Sequence, residues 1–387
     1  MTSINRKVLC FAAAAITALS LEVGCMNRSE LEEEKRQLLS DIERFNRSHG
    51  MSGWDLEGVQ FKDENLAGIR LFDSRWENIG LENINLSGCE LRNTVITGSD
   101  CYSADFSDAV MENVRFENCS LDLAVFEGAR LKGCKFSGCR SDEIRMKGVT
   151  LEGCEFREHQ DEAGIFDNGK FHDTVFRDSR FNETSFYSAA FEDAEFRGGS
   201  LENSYFSGSR MDSMKFTGLD ADFCSFSEVT ASIITFSGCG SRGISFVDSD
   251  LEEIKLDRCG TVNLFSLSQV RCRVLSIAGC ELLSEPMFYK SVMENIDMTG
   301  TGVEFLDGAE SEYTGGFNIT ECLLHGMNLS GSKVSGMHIS SSRIENFLYI
   351  SEARFEGLKL EEIEYAPDLK VRADSVEYIS ADRFPGT

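Results

Sequence analysis

Sulfur is where chemistry would have to centre in this chain. It has 14 cysteines against five histidines. Several cysteines recur twenty residues apart: Cys119 and Cys139, Cys134 and Cys154, Cys239 and Cys259. His159 continues the first of these series, and Asp161 follows it by two positions. Thiolate, imidazole and carboxylate together make a zinc donor set, but zinc needs them to converge tetrahedrally. A spacing of twenty produced by stacking would point them in parallel, and no C-x-x-C pair occurs. No metal and no cofactor are therefore expected. Disulfides between stacked cysteines would meet the permitted Cα range but not the torsion. So many cysteines are unusual for an oxidising compartment, although burial would protect them. The histidines at 49, 159, 172, 325 and 338 are scattered. There is no G-x-S-x-G, phosphate loop or H-E-x-x-H. Acidic pairs are too common for any one of them to mark an acid/base couple, so no catalytic residue is assigned and the chain is read as a non-enzyme.

The elements that must position these residues are written in a repeat, which is settled before any local reading. Phe106, Phe116, Phe126 and Phe136, then Met146, then Phe156, Phe166, Phe176, Phe186, Phe196, Phe206, Phe216, Phe226, Phe236 and Phe246 fall at every tenth position. Neither a helix nor a strand period generates that. Halfway between lie Cys101, Met111, Leu121, Leu131, Leu151, Phe171, Phe181, Phe191, Leu201 and Met211, so the unit is five residues, as in FEGAR LKGCK FSGCR. Two residues before each centre sits a small residue such as Cys89, Ala104, Cys119 or Cys139, and two after it Gly or Asn is common, as at Asn83, Gly88, Asn93 and Gly98. Each pentad thus offers two inward side chains, an outward polar pair and a turn residue. This is a long solenoid.

The pattern resembles the pentapeptide-repeat family, whose usual unit is a small residue, Asp or Asn, Leu or Phe, and two variable residues. Unbroken register runs from Leu56 to Leu256 and weaker runs reach about Tyr365. Asp or Asn before the centre is sparse, as at Asp55, Asn65, Asn85, Asp100 and Asp105. The resemblance implies four pentads to a square coil, hence an all-β solenoid: a right-handed quadrilateral β-helix. Some members resemble duplex DNA in shape and charge, bind DNA gyrase and confer quinolone resistance.

Under that wrap, residues twenty apart stack at about 4.8 Å, and Leu56 to Leu256 makes a rod about 50 Å long. Phe116, Phe136, Phe156, Phe176, Phe196, Phe216 and Phe236 form one ladder, and Phe106, Phe126, Phe166, Phe186, Phe206, Phe226 and Phe246 the opposite one. Both are core, not a ligand groove. One face is faulty: its centres include Ser141, Asp161, Ala221, Ser241 and Thr261. A carboxylate at a core centre costs several kcal/mol unless it is paired, and the turn glycine is missing around Asp161. A coil that loops out over 157–165 is expected. After Leu256 the phase slips: Leu267, Cys272, Ile277 and Leu282 resume it one residue late, and Phe288, Met293, Met298 and Val303 after another extra residue. Residues 305–316 show no register and read as an exposed loop. Pro367 ends the pattern.

The amino terminus reads differently. Arg6 and Lys7 precede an uncharged apolar stretch, Val8 to Leu21, too short to span a membrane comfortably. It ends at Val23-Gly24-Cys25, similar to a bacterial lipoprotein signal with Cys25 as the acylated residue, although Glu22 departs from that motif. Plain export after Ser20, or no cleavage, are the competing readings. From Ser29 to about Arg47 a capping box and the apolar face Leu31, Leu38, Ile42 and Phe45 predict an amphipathic helix covering the first coil. The expected organisation is 1–25 signal segment, 26–50 capping helix, 51–262 regular β-helix, 263–366 less regular β-helix and 367–387 cap and tail.

The formal charge is −27 at pH 7, from 38 Lys and Arg against 65 Asp and Glu. That excludes a general nucleic-acid binder, which needs basic surface. The expected function is a non-enzymatic, exported or lipid-anchored acidic rod, a scaffold for a protein partner. His159, Asp161, Glu162, Asp307, Glu310 and Glu312, on the two irregular segments, are its candidate contacts. A DNA mimic, which needs the cytoplasm, and a secreted effector are the alternatives.

Overall fold

A repeat with two inward residues per pentad can bury them only by closing on itself and stacking. The computed structural model does this as a parallel β-solenoid of about 16 turns. It describes residues 50–385 and Ser40; the targeting segment, Cys25, nearly all of the amphipathic helix and the last two residues lie outside what is described. The chain divides into two compact units, one ending at Arg180 and one beginning at Phe181.

In the first unit the register is strict. Leu71 pairs with Leu91, Leu91 with Met111, Met111 with Leu131, and Leu131 with Leu151, each in a parallel strand. One face on, Trp76, Ile96, Phe116, Phe136, Phe156 and Phe176 follow the same step of twenty. The turn after each centre needs a left-handed residue, which is why Asn and Gly recur there: φ is 49° at Asn93 and 59° at Gly98. Turn residues also stack. Asn83 and Asn93 donate through Nδ2 to Asp63 and Asp73 at 2.9 Å. At Gly133 a Cβ would lie 2.7 Å from Asn113 Oδ1, so the glycine lets the coil below approach. Several outward charges meet an opposite charge on the next coil, as in Lys62–Glu82 at 2.7 Å, Arg70–Glu90 at 2.8 Å and Lys132–Glu152 at 2.6 Å, while Glu57 faces Glu77 and Arg157 faces Arg177. Exposed pairs stabilise little, and like charges stacked at this spacing repel.

The phenylalanine ladders are internal, and their rings stack within a ladder and meet edge-on between ladders. In the first unit Phe116 and Phe136 lie 5.0 Å apart at 3°, Phe106 and Phe126 4.8 Å apart at 14°, and Phe106 meets Phe116 at 84°. In the second, Phe206–Phe226 and Phe216–Phe236 stack at 4.9 and 4.7 Å, and Phe206 meets Phe216 at 87°. The ring quadrupole favours both arrangements.

The second unit corrects four expectations. Ser241 pairs with Val262, a step of 21, so the extra residue is absorbed at the corner before Val262. Val262 is the buried centre, and Thr261 points out. By the same step Leu283, not Leu282, is the next centre. Residues 305–316 are not a loop. Leu306–Asp307 pairs with Met327–Asn328, and Glu312–Tyr313 pairs on both sides. Register was hidden because Gly308 occupies one inward position and Tyr313 the next. The buried Tyr313 ring fills what the glycine leaves, its hydroxyl donating to Gly308 O at 3.1 Å. Finally, Pro367 does not end the coil. Lys370–Arg372 and Glu377–Ile379 still pair with the strands below, and Phe384 is buried 5.7 Å from Phe355.

Candidate functional site

The residues most like an active site are inside the first unit. Arg140–Asp142 and Gln160–Glu162 are paired strands, with Ser141 directly opposite Asp161. No loop forms at 157–165; Glu158, Gln160 and Ile165 keep their ladder hydrogen bonds to Arg177, Cys139 and Ile144. The sequence expectation failed because the carboxylate is satisfied from within. Ser141 Oγ donates to Asp161 Oδ1 at 2.7 Å and lies 3.0 Å from His159 Nε2. Gly164 supplies the room: a Cβ there would sit 1.9 Å from Asp161 Oδ2.

Serine, histidine and aspartate in contact suggest nucleophilic catalysis, but the protons run the wrong way. A hydroxyl has one proton. Ser141 gives it to Asp161, so it accepts from His159, which must carry its proton on Nε2. A nucleophile needs the reverse, with the imidazole accepting from serine and the carboxylate orienting the imidazole. Burial also depresses the His159 pKa to about 3, so the ring stays neutral. Ser141, His159 and Asp161 are 3%, 0% and 2% exposed. The cluster is a sealed polar plug in an aromatic bore, with His159 edge-on to Phe156 at 5.5 Å.

The cysteines do more than replace alanine. Cys119 and Cys139 donate Sγ–H to the carbonyls of Ile96 and Phe116, at 3.3 and 3.4 Å. Cys154, Cys224 and Cys239 do the same to Leu131, Leu201 and Phe216. Serines at the equivalent position complete the pattern. Ser179 accepts from His159 N at 3.1 Å and its hydroxyl faces the carbonyls of Arg177 at 2.9 Å and Phe156 at 3.3 Å; Ser249 accepts from Val229 N and faces the carbonyls of Val247 and Phe226, all at 3.0 Å. The corner amides of His159 and Val229 are thus taken up by the next coil's hydroxyl, as buried backbone requires. This role was missed from sequence, although the alternation of Ala, Ser and Cys at one position was its trace. Burial pushes the thiols of Cys224 and Cys239 up to about 12 and about 11, away from thiolate chemistry. Among the described residues no group of His, Cys, Asp and Glu could hold a metal.

The other sequence candidates sit outside. Glu162 is exposed beside Asp161. Glu310 is 3.4 Å from Lys290 Nζ and from the Tyr289 hydroxyl. Asp307 accepts from Ala309 N and Asn328 Nδ2 at 3.2 and 3.0 Å, and Glu312 points out of its strand. The structure does not bring His159 and Asp161 to the surface with them.

Residues 69–146 match the model of the pentapeptide repeat region. No curated protein matches the sequence. Among solved structures, the chain is similar to HetL, a pentapeptide repeat protein involved in heterocyst differentiation regulation from the cyanobacterium Nostoc sp. strain PCC 7120. Identity is 11% over 71% of this chain and 96% of that one, with a TM-score of 0.29. Full-length QnrB1, a plasmid-mediated fluoroquinolone resistance protein, is 16% identical over 44% of this chain and 86% of its own, with a TM-score of 0.21. PfbA, a surface adhesin of Streptococcus pneumoniae, is 9% identical over 77% and 84%, with a TM-score of 0.25.

Proposed function

We propose, from the premise that the chain is a pentapeptide-repeat β-helix, that it is a non-enzymatic interaction module, exported or lipid-anchored through Cys25, that presents an acidic outer surface to a protein partner. The observation that carries this is the sealed state of Ser141, His159 and Asp161. Among the described residues, the one constellation with catalytic residue types is spent on holding a coil together, which leaves the outer surface for function. Its charge of −27 suits a partner with a basic face, and such steering acts on association rate and specificity. Fractionation with sequencing of the mature amino terminus is the test. The expected result is membrane-associated protein beginning at Cys25, labelled by palmitate and sensitive to globomycin; full-length protein in the cytosol overturns export and anchoring.

The same acidity favours a second reading, a DNA mimic that binds a DNA-processing enzyme such as gyrase. A full-length cytosolic protein that inhibits supercoiling would establish it over the first.

A further inference from the structure

One face of the second unit stands apart from the acidic surface. The strands Cys224–Ser227, Ile244–Val247 and Phe265–Ser268 form a three-stranded parallel sheet of their own. Their outward positions are Ser225, Ser227, Ser245, Val247, Ser266 and Ser268, stacked in register. The columns run on without a charge to Tyr205 at one end and Met287 at the other, both bridged to this sheet. The same coils carry Arg210 and Asp212, Lys215, or Asp220 and Asp222 on their other faces.

Large apolar side chains border this neutral strip. Tyr205 and Phe223 are 50% and 48% exposed, Leu264 48% and Met287 39%. Phe223 occupies a left-handed turn position, φ 55°, where asparagine or glycine is the usual residue and a bulky side chain is strained. It lies along the surface: a Cβ on Gly243 would sit 3.4 Å from its ring and 3.9 Å from Leu264, so the glycine keeps the three continuous. Strain and exposed apolar area are thus both concentrated at one edge, where the Arg242 guanidinium lies over the Phe223 ring at 5.3 Å.

We propose that this serine–aromatic face binds an uncharged polysaccharide strand. The face is flat, and flat surfaces cannot enclose a small molecule as a concave site does. The occupant is therefore extended. It is uncharged, because the sheet positions offer an ionic group no partner; charges stand only at the borders, Glu228 and Asp248 on one side and Arg242 over Phe223 on the other. A second copy of this chain fits poorly. Five coils at about 4.8 Å by a strand about 10 Å wide give about 240 Å² a side, well below the roughly 600 Å² a stable partner covers. The borders of two copies would also set Glu228 and Asp248 against their like. Protein interfaces in general are depleted in serine, yet serine supplies five of the six sheet positions. Sugar hydroxyls match it: each serine can donate and accept, and the pairs Ser225–Ser227 and Ser266–Ser268, at 3.3 and 3.0 Å, offer a row of both. The C–H face of a pyranose stacks on Tyr205 and Phe223, rings with an apolar body and, for tyrosine, a polar tip.

The test is affinity electrophoresis of the full chain in native gels containing neutral polysaccharides (a β-glucan, a galactomannan, amylopectin), with pull-down on insoluble cellulose and chitin. At least one neutral polymer is expected to retard the protein, equally at low and high salt. Y205A and F223A together are expected to weaken this at least tenfold, and S245E, which places a charge mid-face, to do the same. K215A, on a neighbouring face, is expected to leave it unchanged, and circular dichroism verifies that each variant is folded. Absence of retardation by every neutral polymer overturns the proposal, as does retardation that Y205A/F223A and S245E leave intact. Sedimentation showing a dimer that S245E dissolves would assign the face to a second copy instead.

Discussion

Where the single proton of Ser141 goes decides what its neighbours can do. Because Asp161 takes it, His159 is a buried neutral donor, and its depressed pKa becomes a statement about stability. The folded-state pKa, about 3, lies below the usual value of 6.5. Protons therefore prefer the unfolded chain below pH 6.5. The stabilisation is whole above that pH and is lost as pH falls from 6.5 toward 3, at up to about 1.4 kcal/mol per pH unit. Urea unfolding at pH 7, 6, 5 and 4 should show this extra loss in the native protein but not in H159N, which keeps an N–H donor and does not titrate. A second prediction concerns the corner bonds. C139S should stay within about 0.5 kcal/mol of the native protein, since Ser179 makes the equivalent bond two coils on, whereas C139A should lose about 0.5–1.5 kcal/mol. Sequence could place His159 and Asp161 in one coil but misjudged the outcome. Whether a buried carboxylate expels its strand depends on a donor twenty residues away and on the space left by Gly164, which no local pattern encodes.

Elements in this chain are pentads, and their legibility tracks how regular the side-chain sizes are. From Leu56 to Leu256 the large centres announce the register, and the structure keeps it. After that, coils of 20 and 21 residues mix, and the extra residue can sit anywhere along a corner; hence Thr261 and Leu282 were misplaced by one while Leu267, Cys272 and Ile277 were not. At 305–316 the difficulty was compensation between neighbours, a glycine beside a tyrosine. That compensation is testable as a coupling energy. A Cβ at Gly308 would lie 2.2 Å from the Tyr313 hydroxyl, so G308A should cost about 1–3 kcal/mol by overpacking. Y313F alone loses a hydrogen bond, about 0.5–1.5 kcal/mol. The double variant should cost less than the two together by at least about 1 kcal/mol, because removing the hydroxyl relieves the clash. Strict additivity in a denaturant-based double-mutant cycle would mean that Tyr313 does not fill the place of Gly308.

Over the whole molecule, stability should behave as a sum over coils and the interfaces between neighbours, since backbone bonds join residues about twenty apart throughout the first unit. Removing one whole turn then leaves every remaining turn with a neighbour of its own kind. Deletion of residues 107–126 makes the case concrete. Phe106 takes the place of Phe126, Leu131 stacks on Leu91, Phe136 on Ile96, Ser141 on Cys101 and Met146 on Phe106. On the outside Arg130 comes over Glu90, a pair of opposite sign replacing the neutral Val110. The shortened protein is expected to keep its β-type circular dichroism and a cooperative urea transition, with an m-value reduced only in proportion to the surface removed. An unfolded or aggregated product would show that particular coils, rather than the repeat, carry the fold. The reason to expect otherwise lies in the ladders. Each phenylalanine needs only an apolar residue above and below it, and the deletion supplies both.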